Sequence, residues 1–204
     1  MEEAVIDKLT PPTPDPEPTP DKPNADVEVK GDAPTIKNDA DTVKEIESSV
    51  KLTDEEKEAV KAGADIKFKI VVKDEVKAGD KELIDTKISS LVNNGVVGKV
   101  FDITIEKQVG NNAAVKAEFN SEITLKVQVP EELINKDDSK TRTYKVIRVH
   151  DGEVTVIDKE NCVFDEETGL ITFKTDKFST YAIVYEDAAK IIVAPGNTDN
   201  NQPA

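Results

Sequence analysis

The strongest constraint on this chain is a repeated two-residue alternation. Ile66, Phe68, Ile70 and Val72 alternate with Lys67, Lys69 and Lys73. Phe101, Ile103 and Ile105 alternate with Asp102, Thr104 and Glu106, and Ile123, Leu125, Val127 and Val129 alternate with Thr124, Lys126 and Gln128. Wound as helices, these runs would scatter their apolar groups around the axis. As strands they place every apolar group on one face. One apolar and one polar face predicts half-buried antiparallel strands. Pro130 ends the third run, because proline cannot donate to a ladder.

One hairpin can be read in register. Asp151-Gly152 is a type I′ turn signal, since both central positions of that turn need positive φ. A two-residue loop there pairs His150 with Glu153, Val149 with Val154, Arg148 with Thr155 and Ile147 with Val156. Paired residues share a face. The four apolar residues then line a buried side, and His150, Glu153, Arg148 and Thr155 line a wet side. Turn chemistry and hydrophobic pattern give the same register. A second hairpin is predicted around Glu166–Gly169, joining Cys162–Asp165 to Leu170–Lys174. The last strand, Phe178 to Tyr185, shows Tyr181, Ile183 and Tyr185 on one side and Phe178, Ala182 and Val184 on the other. Apolar groups on both sides place it centrally in a sheet.

Helices are expected only in the N-terminal half. Residues 39–50 put Val43, Ile46 and Val50 on one face. Thr53 and Glu56 have capping-box spacing, and the helix they start stops at Gly63. A third helix over 80–93 carries a stripe of Leu83, Ile84, Ile88, Leu91 and Val92, with Asp80 as its cap and Asn93-Asn94-Gly95 as its end.

The flanks read as linkers. Seven prolines between Pro11 and Pro23 alternate mostly with Asp, Glu, Thr and Lys, a composition that favours extended polyproline II. The division is therefore 1–24, an upstream remnant and proline-rich linker; 25–190, a β-rich module with a subdivision suggested near 130; and 191–204, a polar linker or tail. Residues 1–24 and 195–204 hold few apolar groups to offset ordering entropy and are read as dispensable for folding. The acidic start, Met1-Glu2-Glu3-Ala4-Val5-Ile6-Asp7, has no signal-peptide character, so the chain reads as a fragment of a longer protein.

Composition narrows function. A net charge of −15 repels phosphate backbones and anionic membrane surfaces, and no apolar run approaches the length of a membrane span, so no nucleic-acid partner and no membrane insertion are expected. The single cysteine, Cys162, permits no internal disulfide and reads as a buried, inert thiol. The single histidine, His150, reads as a surface residue beside Glu153. One histidine and one cysteine cannot assemble a nitrogen and sulfur metal site, and no nucleophile motif accompanies them. The acidic pairs Glu55-Glu56, Asp137-Asp138 and Glu166-Glu167 raise the question of glycosidase carboxylates, which would also need a cleft. The chain has no tryptophan, three tyrosines and six phenylalanines, so aromatic platforms for sugars are scarce. The pairs read as solvated surface. The oxygen-rich loop Asn135-Lys136-Asp137-Asp138-Ser139 lacks the spacing of an EF-hand. Catalytic, cofactor-binding and metal residues are each assigned as none, and no cofactor is expected.

Two stretches carry a family resemblance: Lys140-Thr141-Arg142-Thr143-Tyr144 with Ile147-Arg148-Val149-His150-Asp151-Gly152, and Thr175-Asp176-Lys177-Phe178-Ser179-Thr180-Tyr181-Ala182-Ile183-Val184-Tyr185. Upstream, Leu52-Thr53-Asp54-Glu55-Glu56 and Ala62-Gly63-Ala64-Asp65-Ile66 extend it over about residues 40–187. The pattern resembles a recurrent C-terminal β-rich module of cell-surface proteins of Firmicutes, Gram-positive bacteria. The resemblance implies an extracellular or cell-surface setting, a tandem or wall-proximal context and no catalytic residues. No Leu-Pro-x-Thr-Gly sorting motif occurs in the sequence. Some Gram-positive surface domains carry Lys–Asn isopeptide crosslinks, and no diagnostic motif marks one here.

Patterning and resemblance together predict a mainly β, α+β fold: an antiparallel β-sandwich, Ig-like in the broad sense, with short helices in the N-terminal half. The expected role is a non-enzymatic structural or spacer module whose partners are neighbouring domains of a larger surface protein. The alternative is a ligand-binding adhesin or carbohydrate-binding module for a host or cell-wall ligand.

Overall fold

The period-two runs become strands, and the computed structural model describes them within residues 25–157 and 160–190. The elements are β1 (Ala25–Lys30), α1 (Ala40–Ser49), α2 (Asp54–Lys61), β2 (Ile66–Lys73), α3 (Ala78–Leu91), β3 (Val96–Val109), β4 (Val115–Lys116), β5 (Ile123–Gln128), β6 (Lys140–His150), β7 (Glu153–Ile157), β8 (Cys162–Asp165), β9 (Leu170–Thr175) and β10 (Thr180–Ala189). A 3-10 turn, Glu131–Leu133, follows Pro130. The proline-rich segment and the C-terminal tail, with the expectation that they are dispensable, lie outside the described residues.

Seven strands form one sheet in the order β1-β2-β3-β10-β6-β7, with β4 paired to β3. The other three form a small sheet, β5-β9-β8. The chain is mainly β with three described helices, and its ladders are antiparallel except for β1 with β2. Both sheets combine strands from before and after residue 130, where the sequence suggests a subdivision.

One core joins the sheets. Phe101, Ile103 and Ile105 of β3 and Tyr181 and Ile183 of β10 cluster with Leu125 and Val127 of β5 and Ile171 and Phe173 of β9. Helix α1 adds Val43 and Ile46 to it. A second core lies on the opposite face of the large sheet. There Ile84 of α3 and Val92 just after it pack on Ile147, Val149, Ala182 and Val184. Strand β10, paired to β3 on one side and β6 on the other, is central as expected, and both of its faces are buried.

The Asp151-Gly152 hairpin has the expected register, with Val149 opposite Val154 and His150 opposite Glu153. Asp151 and Gly152 take φ of 49° and 78°. The expected wet side is corrected. Glu153 is exposed as expected, but Arg148, on the same face, is only 15% exposed and donates to Thr175 Oγ1 at 3.1 Å. Two further readings are corrected. Helix α3 begins at Ala78 with Lys77 at its cap position, so Asp80 lies inside the first turn and accepts from Thr180 Oγ1 at 2.7 Å. Phe178 precedes β10 and packs on Phe119 in the main core, on the same side as Tyr181. The capping box forms as expected. Thr53 accepts from the Glu56 N–H, and the Glu56 carboxylate accepts from the Thr53 N–H.

Strand β3 carries a bulge opposite Ile183 and Val184. Gly98 lies there because a Cβ would come within 2.7 Å of Leu133 Cδ1 and 3.2 Å of the Ile183 carbonyl. The 3-10 turn thereby sits directly against the β3 backbone.

Candidate functional site

Two clefts deserve comparison, because each gathers residues that the sequence singles out. The first, about 370 Å³, opens where β6 begins and is bordered by the 134–141 loop, Phe164 and Glu166. Its floor is the Tyr144 ring, whose hydroxyl donates to the Leu133 carbonyl at 2.6 Å. Phe164 packs against that ring at a centroid separation of 4.4 Å. Arg142 grips both Asp187 oxygens at 2.7 Å, donates to the Leu133 carbonyl and lies over the Tyr185 ring. The bidentate Arg142 partner holds the Asp187 carboxyl below the usual carboxylate range.

In the oxygen-rich loop Asn135 and Asp137 bond within the loop, and Asp138 is exposed. Asn135 Oδ1 accepts from the Asp137 N–H, and Asp137 Oδ1 accepts from the N–H and hydroxyl of Ser139. Asn135 Nδ2 donates to the carbonyls of Asp137 and Lys140. These bonds hold the Asp137 carboxyl below its ordinary pKa, the Ser139 hydroxyl acting most strongly. Among the described residues no group of three or more His, Cys, Asp and Glu side chains is placed to hold a metal ion.

The second cleft, about 390 Å³, lies at the other end of β6 and contains His150, Lys51, Lys116, Phe119 and Phe178. His150 is 27% exposed rather than fully wet, with Nε2 3.4 Å from Asp151. Its Nδ1 is buried without a hydrogen-bond partner among the described residues. Lys116 donates to the Phe178 carbonyl, and Lys51 pairs with Glu118. No serine, threonine or cysteine lines this cleft beside the imidazole.

The acidic pairs separate. Glu55, Asp137, Asp138, Glu166 and Glu167 are exposed, whereas Glu56 turns inward. Its partner is Lys107, the one lysine buried among the described residues. Lys107 occupies a core-facing position of β3 between Ile105 and Val109, and also donates to the Lys51 carbonyl at 2.6 Å. Burial pushes the Glu56 carboxyl up, but Lys107 and the Thr53 N–H outweigh it and hold it below the ordinary value. This pair was hidden in the sequence, and the signal was present: extending the β3 alternation by two residues places a lysine on the apolar face. Lys107 faces a glutamate and a carbonyl here, not an asparagine.

Cys162 is buried in the main core on β8. The aromatic side chains point inward. Of the nine, seven are buried, and the other two, Phe164 and Tyr185, are covered by Tyr144 and Arg142. No described helix is long and apolar enough to cross a membrane. No family model, curated protein or solved structure matches the chain.

Proposed function

We propose that the chain is a non-catalytic spacer module of an extracellular surface protein, holding a neighbouring domain away from its anchor. The observation that carries this reading is where the first and last described strands lie in the large sheet. Strand β1 starts level with Lys107 of β3, through Phe68 of β2. Strand β10 passes Val96 at Tyr185 and continues to Ala189. The first and last described strands therefore begin and end at opposite ends of one sheet. At roughly 3.3 Å per strand residue those two points are separated by on the order of 45 Å along the strands. That placement lets modules follow one another in series.

Three further features support the reading. Aromatic rings are spent on the core. The Asn135, Asp137 and Arg142 side chains of the 134–141 cleft are engaged in holding its own walls. Among the described residues no serine, threonine or cysteine lines the cleft of the single histidine. The charge of −15 favours mutual repulsion between copies. The resemblance to Gram-positive surface modules supplies the extracellular setting. We read the two sheets over a shared core as an antiparallel sandwich, Ig-like in the broad sense, to which parallel β1 is added.

A glycan array, an adhesion assay on host and bacterial cells and a hydrolase panel, all with the full chain, test the proposal. The expected result is no specific binding and no turnover. Binding at roughly micromolar strength that is lost in Phe164→Ala would replace the spacer with an adhesin using the Tyr144 cleft. Turnover lost in His150→Ala would overturn both.

A further inference from the structure

We infer that the fold resists tension along its large sheet, and that the β1–β2 pair sets the force at which it yields. This deepens the spacer reading and rests on it for its setting in the cell, while the mechanical property can be measured without it.

The argument is one of strand direction. Strand β1 is parallel to β2, β2 is antiparallel to β3, and β3 is antiparallel to β10. So β1 and β10 run the same way. A pull on the chain before Ala25 acts backwards along β1, and a pull beyond Lys190 acts forwards along β10. The two forces are opposed and lie along the strands. Under that load β1 must slide past β2, and its ladder is loaded all at once. A pull across the sheet would instead open the same ladder one bond after another.

The two ends are held unequally. Strand β10 has partners on both sides, with β6 pairing along its whole length from Thr180 to Ala189. Strand β1 is an edge strand whose six residues pair with β2 alone. It is the weaker grip, and additional contacts secure it. Ala25, the first residue to feel the pull, is 4% exposed, and its carbonyl accepts from Asn38 Nδ2 at 2.5 Å. Glu28 pairs with Lys69 on β2. Just past the strand, the Asp32 N–H donates to Asp74 at 2.8 Å and the Asp32 carboxylate pairs with Lys99 of β3. These ties bind β1 and its exit to the sheet it would have to slide along.

The test is single-molecule force spectroscopy on the full chain in two pulling geometries, both in a Cys162→Ala background. In the first, the handles are on the two chain termini. In the second, one handle is on the N-terminus and the other on a cysteine introduced by Asn111→Cys. Asn111 is exposed, just beyond the end of β3 that lies level with Ala25, so this pull crosses the sheet. Because forced unfolding reports the barrier along the loaded path, the expected result is a terminal unfolding force on the order of two-fold higher than the cross-sheet force at one loading rate. Asn38→Ala should lower the terminal force and leave the cross-sheet force nearly unchanged. Equal forces, or a lower terminal force, overturn the inference even if the binding screens leave the spacer reading intact. Specific glycan binding would sink the spacer reading without touching the force difference.

Discussion

The costs of removing Glu56 and Lys107 should not add: the double variant should be no worse than Glu56→Ala alone. The Lys107 side chain is 7% exposed and that of Glu56 16% exposed. In Glu56→Ala the ammonium keeps only the Lys51 carbonyl as a partner. A buried charge stripped of its counter-ion costs about 3–5 kcal/mol, and losing the glutamate half of the capping box adds roughly 0.5–1 kcal/mol. Lys107→Met removes the ammonium but fills the same space, leaving Glu56 close enough to water to be solvated. That change should cost about 1–2 kcal/mol. The double variant carries no orphaned ammonium, so its cost should fall roughly 2 kcal/mol below the sum of the singles. Urea unfolding at pH 7, read as midpoint and slope, measures all four corners of the cycle. The pH dependence gives a second check. The Glu56 carboxyl titrates below its ordinary 4.5 in the fold. Its contribution is complete above that value and is lost as pH falls through the lower folded value. The penalty of Glu56→Ala should therefore shrink as the pH falls below the ordinary 4.5. Additive costs, or a penalty that ignores pH over that range, would refute the assignment of Lys107 as a core charge held by Glu56.

Three other substitutions follow from single observations. Gly152→Val should cost about 1–2 kcal/mol for purely conformational reasons, because φ is 78° and a Cβ there meets nothing within 4 Å; thermal unfolding checks it, and an unchanged Tm would deny the turn its need for glycine. Gly98→Ala should cost about 1–3 kcal/mol and be partly rescued by Leu133→Ala, which clears the atom a Cβ would strike; absence of rescue in a urea cycle would show that the Ile183 carbonyl sets the limit. Asp39→Ala should cost about 1–2 kcal/mol, since Asp39 caps α1 through the Thr42 N–H and pairs with Lys126 of β5 at 2.5 Å. Burial raises its carboxyl, but Lys126 and the cap bring it down to about 2, so the stabilisation is whole above about pH 4 and lost as pH falls toward 2. A wild-type minus variant difference that stays constant across an acid titration followed by circular dichroism would remove that explanation.

What could be read from the sequence was local, and what could not was decided by layers. The Asp151-Gly152 register, the Thr53–Glu56 box and the turn before Leu170 each depend on residues a few positions apart. The centrality of β10 was legible because both of its faces are apolar. Strand β1 was missed although Val27 and Val29 alternate with Asp26, Glu28 and Lys30. Six residues with three charges make a weak signal, and nothing local reveals a parallel partner more than forty residues away. The faces of β6 were misjudged for a related reason. Alternation tells which residues share a side, but not how many layers cover it. Val149 and Ile147 are buried beneath α3, while Arg148 and His150 are turned toward the other sheet. Arg148 is accommodated there because Thr175 and Asp176, next to the end of β9, supply oxygens at the sheet boundary.

The same limit applies to the reading of function. Acidic pairs and an oxygen-rich loop have the composition of a site, and their significance depends on where their lone pairs are spent. In the 134–141 loop those of Asn135 and Asp137 are spent on N–H groups of the loop itself, while Arg142 and Tyr144 hold the Leu133 carbonyl just before it. At Glu56 they are spent on one buried lysine and one helix cap. In both places the charged chemistry ties a loop or helix end to a strand of the large sheet, which is the use expected of polar groups in a body that must keep its shape. Arg142 joins the 3-10 turn to the last strand through Leu133 and Asp187, and Lys107 joins α2 to β3. Where the chain leaves the sheet, Arg142 braces β10; where it enters, Asn38 and Lys69 brace β1. Polar bonds thus accompany both strands through which the body is connected to the rest of the chain.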